Sequence, residues 1–233
     1  MSKFPDPIVF SKDEDEQINK NLSKKLDPVV KYQGAVIDPT VTFNTIYDFG
    51  GKQKPIVIRS GCIVREHARI NANVLLYPGV EIGHSVTVGA NVAILPNTSV
   101  GKNTKIGAAI RIGRNVVIGP NVHIDDGADI GDYVKIGAWS SIGKRVLIEK
   151  DVRVGDSVQV GEYSKIKREV KLGGLAQLGA QVKVKKSAEI GIKAQIASRV
   201  EVNKRVKIGA AATVTEGKGI KKIKKNVADG ATV

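Results

Sequence analysis

Several kinds of residue are scarce in this chain, and each scarcity excludes something. The 233 residues contain one cysteine, Cys62, so no intrachain disulfide can form. Phe, Tyr and Trp number 4, 5 and 1, with a single Met, so the interior must be narrow and filled by small aliphatic side chains. No apolar run is long enough for a signal peptide or a membrane-spanning helix, which makes a cytoplasmic location the expectation. There are 3 histidines and no closely spaced His or Cys pair, so no metal is expected. Gly50-Gly-Lys52 lacks the spacing of a phosphate-binding loop and reads as a turn. Aromatic residues do not interleave with the basic ones, which argues against a nucleic-acid stacking platform.

What the chain does have is a six-residue rhythm. Starting at Ile56 and stepping by six to Ala212, every residue is small or aliphatic; two places later, from Ile58 to Val214, every residue is Val, Ile or Leu. This makes 27 repeats, and no helical face has period six. Apolar residues at i and i+2 share one face of a strand, so each repeat reads as a short strand followed by a turn. Gly stands at i+3 in 15 of the 27 repeats, and the expectation is that it supplies the unusual backbone angles of the corner. Pro78, Pro96 and Pro120 all fall at i+4, where a missing N–H does no harm. The strands are expected to stack into a solenoid.

Stretches such as Ile130-Gly-Asp-Tyr-Val-Lys-Ile-Gly137 resemble the hexapeptide repeat of the left-handed parallel β-helix acyltransferases. The resemblance implies an all-β fold in which three successive repeats close one triangular coil. About nine regular coils would make a prism roughly 40 Å long, at ~4.8 Å per stacked strand. Before it, residues 1–55 read as an N-terminal arm, a cap and a loop. Ser11 and Glu14 there look like a capping box opening a short helix to Leu26, and Ala35-Val-Ile37 with Val41-Thr-Phe43 looks like a partial coil in a shifted register. The loop Asn44 to Pro55 absorbs the shift. After Val214 the register fails, leaving residues 215–233 as a basic tail. Ile208 to Thr215 followed by that ending is similar to the close of many hexapeptide acetyltransferases.

The resemblance further implies a homotrimer with sites between subunits. A histidine would act there as general base on a sugar-like or small-molecule acceptor, and acyl-coenzyme A (acetyl-CoA) or acyl carrier protein (acyl-ACP) would be the donor. An unperturbed imidazole, at a pKa of about 6.5, suits that task near neutrality. Ile82-Gly-His-Ser-Val-Thr-Val-Gly89 is similar to the stretch carrying the catalytic base in acyltransferases of lipid A synthesis, with Ser85 in place of the family's Asp. His84 is therefore the candidate catalytic residue. The period of three repeats stacks His67 beside Ser85 and points His123 outward on the third face, so His67, Ser85 and His123 are the candidate substrate-binding residues. Some members of the fold are zinc carbonic anhydrases, but their closely spaced His pair is missing here.

The outward column of the third face is uncharged from Ser141 through Gln159, Gln177 and Gln195, with Trp139 and Leu175 at its entry. In a chain of net charge +14, that is the expected subunit interface. The charge itself is uneven: Lys165 to Lys225 holds 17 Lys and Arg against 4 acids, a basic surface able to meet an anionic partner. The second functional class is a non-catalytic scaffold or assembly protein using that surface, favoured by the absence of any loop inserted into the repeats.

Overall fold

A computed structural model describes residues 30–32, 34–44, 55–217 and 219–233. The helix expected from Ser11 and the loop containing Gly50-Gly-Lys52 lie outside the described residues. Those residues form 31 short strands. A first coil is made by β1 (Val30–Tyr32), β2 (Val36–Ile37) and β3 (Thr42–Asn44). The 27 strands from β4 (Ile56–Ile58) to β30 (Thr213–Val214) then follow one per repeat, and β31 (Lys221–Ile223) comes last. Each strand pairs in parallel with the strand three places before and after it. Three parallel sheets of 11, 10 and 10 strands result, and they are the three faces of the prism. The pairing step is three repeats throughout the regular part, as in Ala93↔Arg111 and Gln159↔Gln177. The sequence expectation of a coil that closes with every third repeat is therefore met.

Both six-step series point inward and are buried, so the core is one dry column of Val, Ile, Leu and Ala. Four hydroxyls share it: Thr98, Thr104, Ser140 and Ser164. Each is satisfied, and Thr98 shows how: its Oγ1 donates to Gly113 O at 2.8 Å and accepts from the Val116 N–H at 3.2 Å. A buried hydroxyl with both partners made carries little desolvation penalty and ties one coil to the next.

The corners overturn one expectation. The left-handed backbone conformation occurs at i+5, not at i+3, and it recurs at every corner from Gly61 to Ala211. Only three of those residues are Gly; 23 are other types, with φ between 52° and 62°. Asn occupies six of them, the side chain best suited to that region after Gly. The i+3 glycines have a different reason to exist. A Cβ on Gly89 would lie 2.4 Å from Gly107 O, and one on Gly191 would lie 2.5 Å from Ala210 N. They are glycine because the next coil passes too close for a side chain.

Both ends continue the stack out of phase. Val36 pairs with Ile63 and Thr42 with Arg69, so residues 44–55 lengthen the first step well beyond three repeats. Beyond Val214 the regular step is lost, as expected, yet the chain still adds to the column. β31 pairs with β28 (Val200–Val202), and single bridges join Ile208 to Val227 and Thr213 to Thr232.

Candidate functional site

The corner between the second and third sheets carries the histidines. Arg65-Glu66-His67 follows β5 (Ile63–Val64), and Gly83-His84-Ser85 follows β8 (Glu81–Ile82), one coil further along. The two turns are clamped to each other, since the Ser85 N–H donates to Glu66 O at 3.0 Å. His84 O in turn accepts from the Asn103 N–H at 2.9 Å, and the His67 N–H donates to Thr40 Oγ1 at 2.8 Å. His67 and Ser85 both take the left-handed conformation, with φ of 57° and 55°, which swings these side chains out over the corner.

The structure brings His67 and His84 together. Their rings meet edge to face, 5.3 Å between centroids and 79° between planes. Glu66 joins them, with Oε1 3.2 Å from His84 Nδ1. The approach is off the line of a hydrogen bond, so Nδ1 is buried without an aligned acceptor, although the side chains as a whole are 42% (His84) and 49% (Glu66) exposed. Glu66 is exposed and its Oε1 is within hydrogen-bond distance of Nδ1, so alignment is what the pair lacks. Sequence reasoning misses Glu66 because it looks to the residue directly after His84. The signal exists, since Glu66 stands one coil before His84 in the repeat pattern. His123 is not part of this group. It projects outward from β15 (His123–Ile124), two strands along the third sheet from Thr87, through Lys105. Among the described residues no group of three or more His, Cys, Asp or Glu is arranged to hold a metal ion.

Further along the same corner the chemistry turns apolar. Trp139 is 67% exposed, Leu175 49% and Ile192 57%, spaced up the edge in that order. Ile192 is not evident from the sequence because it sits at i+4, one place off the columns that hold Trp139 and Leu175. Beside this edge Ser141, Gln159, Gln177 and Gln195 face outward in register on the third sheet. Large apolar side chains left in water next to an uncharged face form a surface that gains by being covered.

The bacterial transferase hexapeptide, a family model of six repeats, matches residues 109–144. No curated protein sequence matches the chain. Among solved structures, the UDP-N-acetylglucosamine acyltransferase from Campylobacter jejuni aligns with 87% of this chain and 70% of its own, at 18% identity and a TM-score of 0.46. That from Bacteroides fragilis aligns over 76% and 70%, at 15% identity and a TM-score of 0.45. A variant of perosamine N-acetyltransferase from Caulobacter crescentus, in complex with CoA and GDP-perosamine, aligns over 60% and 51%, at 20% identity and a TM-score of 0.30.

Proposed function

We propose, for a chain built on the hexapeptide repeat of bacterial transferases, that it moves an acyl group from acyl-CoA or acyl carrier protein to a hydroxyl or amine of a sugar-like acceptor. The observation that carries this reading is the His84–Glu66–His67 cluster on an exposed corner. With Glu66 turned to accept the Nδ1 proton of His84, Nε2 is left unprotonated to act as the base. Nε2 takes the proton from the acceptor O–H or N–H as that atom attacks the thioester carbonyl. The tetrahedral intermediate then collapses, the C–S bond breaks, and the thiolate leaves with the proton returned by His84. His67 and Ser85 flank the acceptor, with His123 further along the third face. Three copies associate through that face and its Trp139–Leu175–Ile192 edge, which sets each histidine corner beside a neighbour.

The test is thiol release from acetyl-CoA and from acyl carrier protein, measured with a panel of nucleotide sugars and amino sugars. His84→Ala is expected to lower turnover by about 10²–10⁴-fold with an unchanged melting temperature, and Glu66→Gln by less. In sedimentation the protein should run as a trimer and Trp139→Asp as a monomer. Failure of acyl-CoA and acyl carrier protein to bind at millimolar concentration, or full activity in His84→Ala, overturns the reading and favours the non-catalytic scaffold.

A further inference from the structure

Lys165 to Lys225 holds 17 Lys and Arg against 4 acids, and part of that excess lies along one edge. The corner between the first and second sheets carries Lys150, Arg168, Lys186 and Lys204 at equivalent positions of four successive coils. Around Arg168, Lys186 and Lys204 runs a shallow groove of about 490 Å³, lined by these three with Lys167, Lys183, Lys185 and Glu149; Lys167 pairs with Glu149, Lys186 with Glu169, and Lys183 and Lys185 with Glu201. Over the same coils the third sheet presents Gln177, Gln195 and Thr213. This edge is separate from the corner that holds the histidines and, further along, the apolar side chains.

We infer that this groove docks an acidic α-helix of a partner protein. Three observations select that occupant among anionic ligands. First, the cations form a straight column with one step per coil, ~4.8 Å. Acidic residues on one face of a helix at i, i+3, i+4 and i+7 advance by about 4.5 and 6 Å, and i to i+7 covers about 10.5 Å against about 9.6 Å for two coils. An extended peptide repeats its same-face side chains only every ~6.8 Å, and a nucleic-acid strand carries a charge every ~3.4 Å. Second, the cations are mostly Lys, compact point charges, where phosphate recognition favours the planar fork of Arg. Third, the protein already shows how this surface holds a carboxylate. At the groove Glu201 lies between Lys185 at 2.7 Å and Lys183 at 3.6 Å, as Glu189 lies between Lys171 at 3.0 Å and Lys207 at 3.3 Å on the adjoining second sheet. Arg168 and Lys204 have no side-chain carboxylate within 4 Å among the described residues, and they remain to be paired from outside.

The probe is a synthetic helical peptide with Glu at i, i+3, i+4, i+7 and i+11 on one face. Beside it run a peptide of the same composition in scrambled order and a short DNA duplex, with binding to the full chain followed by fluorescence anisotropy. The phased peptide should bind at least about tenfold more tightly than the scrambled one and weaken as salt is raised. Arg168→Glu with Lys204→Glu should remove that binding while the melting temperature holds. Lys105→Glu with Lys135→Glu, the same change of net charge elsewhere on the prism, should leave it within twofold. Equal binding of the two peptides, tighter binding of the duplex, or equal loss in the two double variants overturns the proposal. None of these outcomes depends on acyl transfer.

Discussion

The corners make a prediction of opposite signs for two exchanges of the same two residue types. At Gly191 a methyl group would meet Ala210 N at 2.5 Å, Gly209 C at 2.5 Å and Gly209 O at 2.6 Å, all backbone atoms of the next coil. None can yield without shifting a coil whose own amides are bonded in the ladder, as in Gly209 N–H to Val227 O at 2.8 Å. Overpacking of this kind costs about 1–3 kcal/mol, which for a chain of this length is roughly 2–12 °C of melting temperature. At Ala211, φ is 52° and the side chain is exposed. Alanine bears about 1–2 kcal/mol there for the left-handed conformation, while glycine would give back about 0.4–1 kcal/mol through the freedom of the unfolded chain. Gly191→Ala should therefore lower the melt and Ala211→Gly should raise it slightly. The assay is thermal unfolding by far-ultraviolet circular dichroism with both variants at equal concentration. A shift of the same sign for both would refute the assignment of close approach to i+3 and left-handed backbone to i+5.

Three further outcomes follow from the packing and the charges. Ile136→Asp places an unpaired carboxylate in the column at a buried position, and it should dissolve the neighbouring coils, seen as lost strand signal and protease cleavage nearby; an unaltered melt would show that Ile136 does not point inward. Lys171 and Lys207 hold the Glu189 carboxyl below the usual carboxylate range, so the stability it contributes is full above its unfolded pKa and is lost as pH falls through the lower folded value. Lys171→Met with Lys207→Met should flatten the fall of melting temperature between about pH 5 and 3, and an unchanged slope would count against the pairing. Burial pushes the Cys62 thiol up, against weaker lowering by backbone groups nearby, and its Sγ lies 3.1 Å from Tyr77 O. A water-soluble thiol reagent should therefore label it only after denaturation, and rapid labelling of the folded protein would place it at the surface.

The fold could be read from the sequence because one physical requirement repeats. Every i and i+2 residue must fill the same dry interior, and Ile56 to Val214 supply that pattern without a break. The ends were harder. β31 takes one core-facing residue, Ile223, from a Lys-rich stretch, Val227 adds another out of the six-residue register, and the Thr215 N–H donates to Val233 O. Backbone ladders leave no trace in composition when few side chains are buried with them. The corner glycines misled for a related reason. Glycine permits both unusual angles and close contact, and only coordinates distinguish the two. Asn at i+5, at positions such as Asn97, Asn103, Asn115 and Asn121, was the legible sign of the left-handed residue.

The site was legible to the extent that the period was applied. In a coil of fixed length, spatial neighbours outside the core are residues three repeats apart, so a side chain's partners are found by adding and subtracting one coil rather than by looking along the chain. His84 next to Ser85 is a local reading; His84 with Glu66, and His67 with Ser85, are periodic ones. The salt bridges obey the same arithmetic: Lys167 with Glu149, Lys171 with Glu189 and Lys183 with Glu201 are each one coil apart. Such a prism keeps its columns independent, because no side chain on one corner can reach another through a solid core. The basic groove can therefore be altered without disturbing the corner that carries the histidines and the apolar edge. That independence is why the double variants chosen for the groove and the single substitution at His84 can report on separate properties of one molecule.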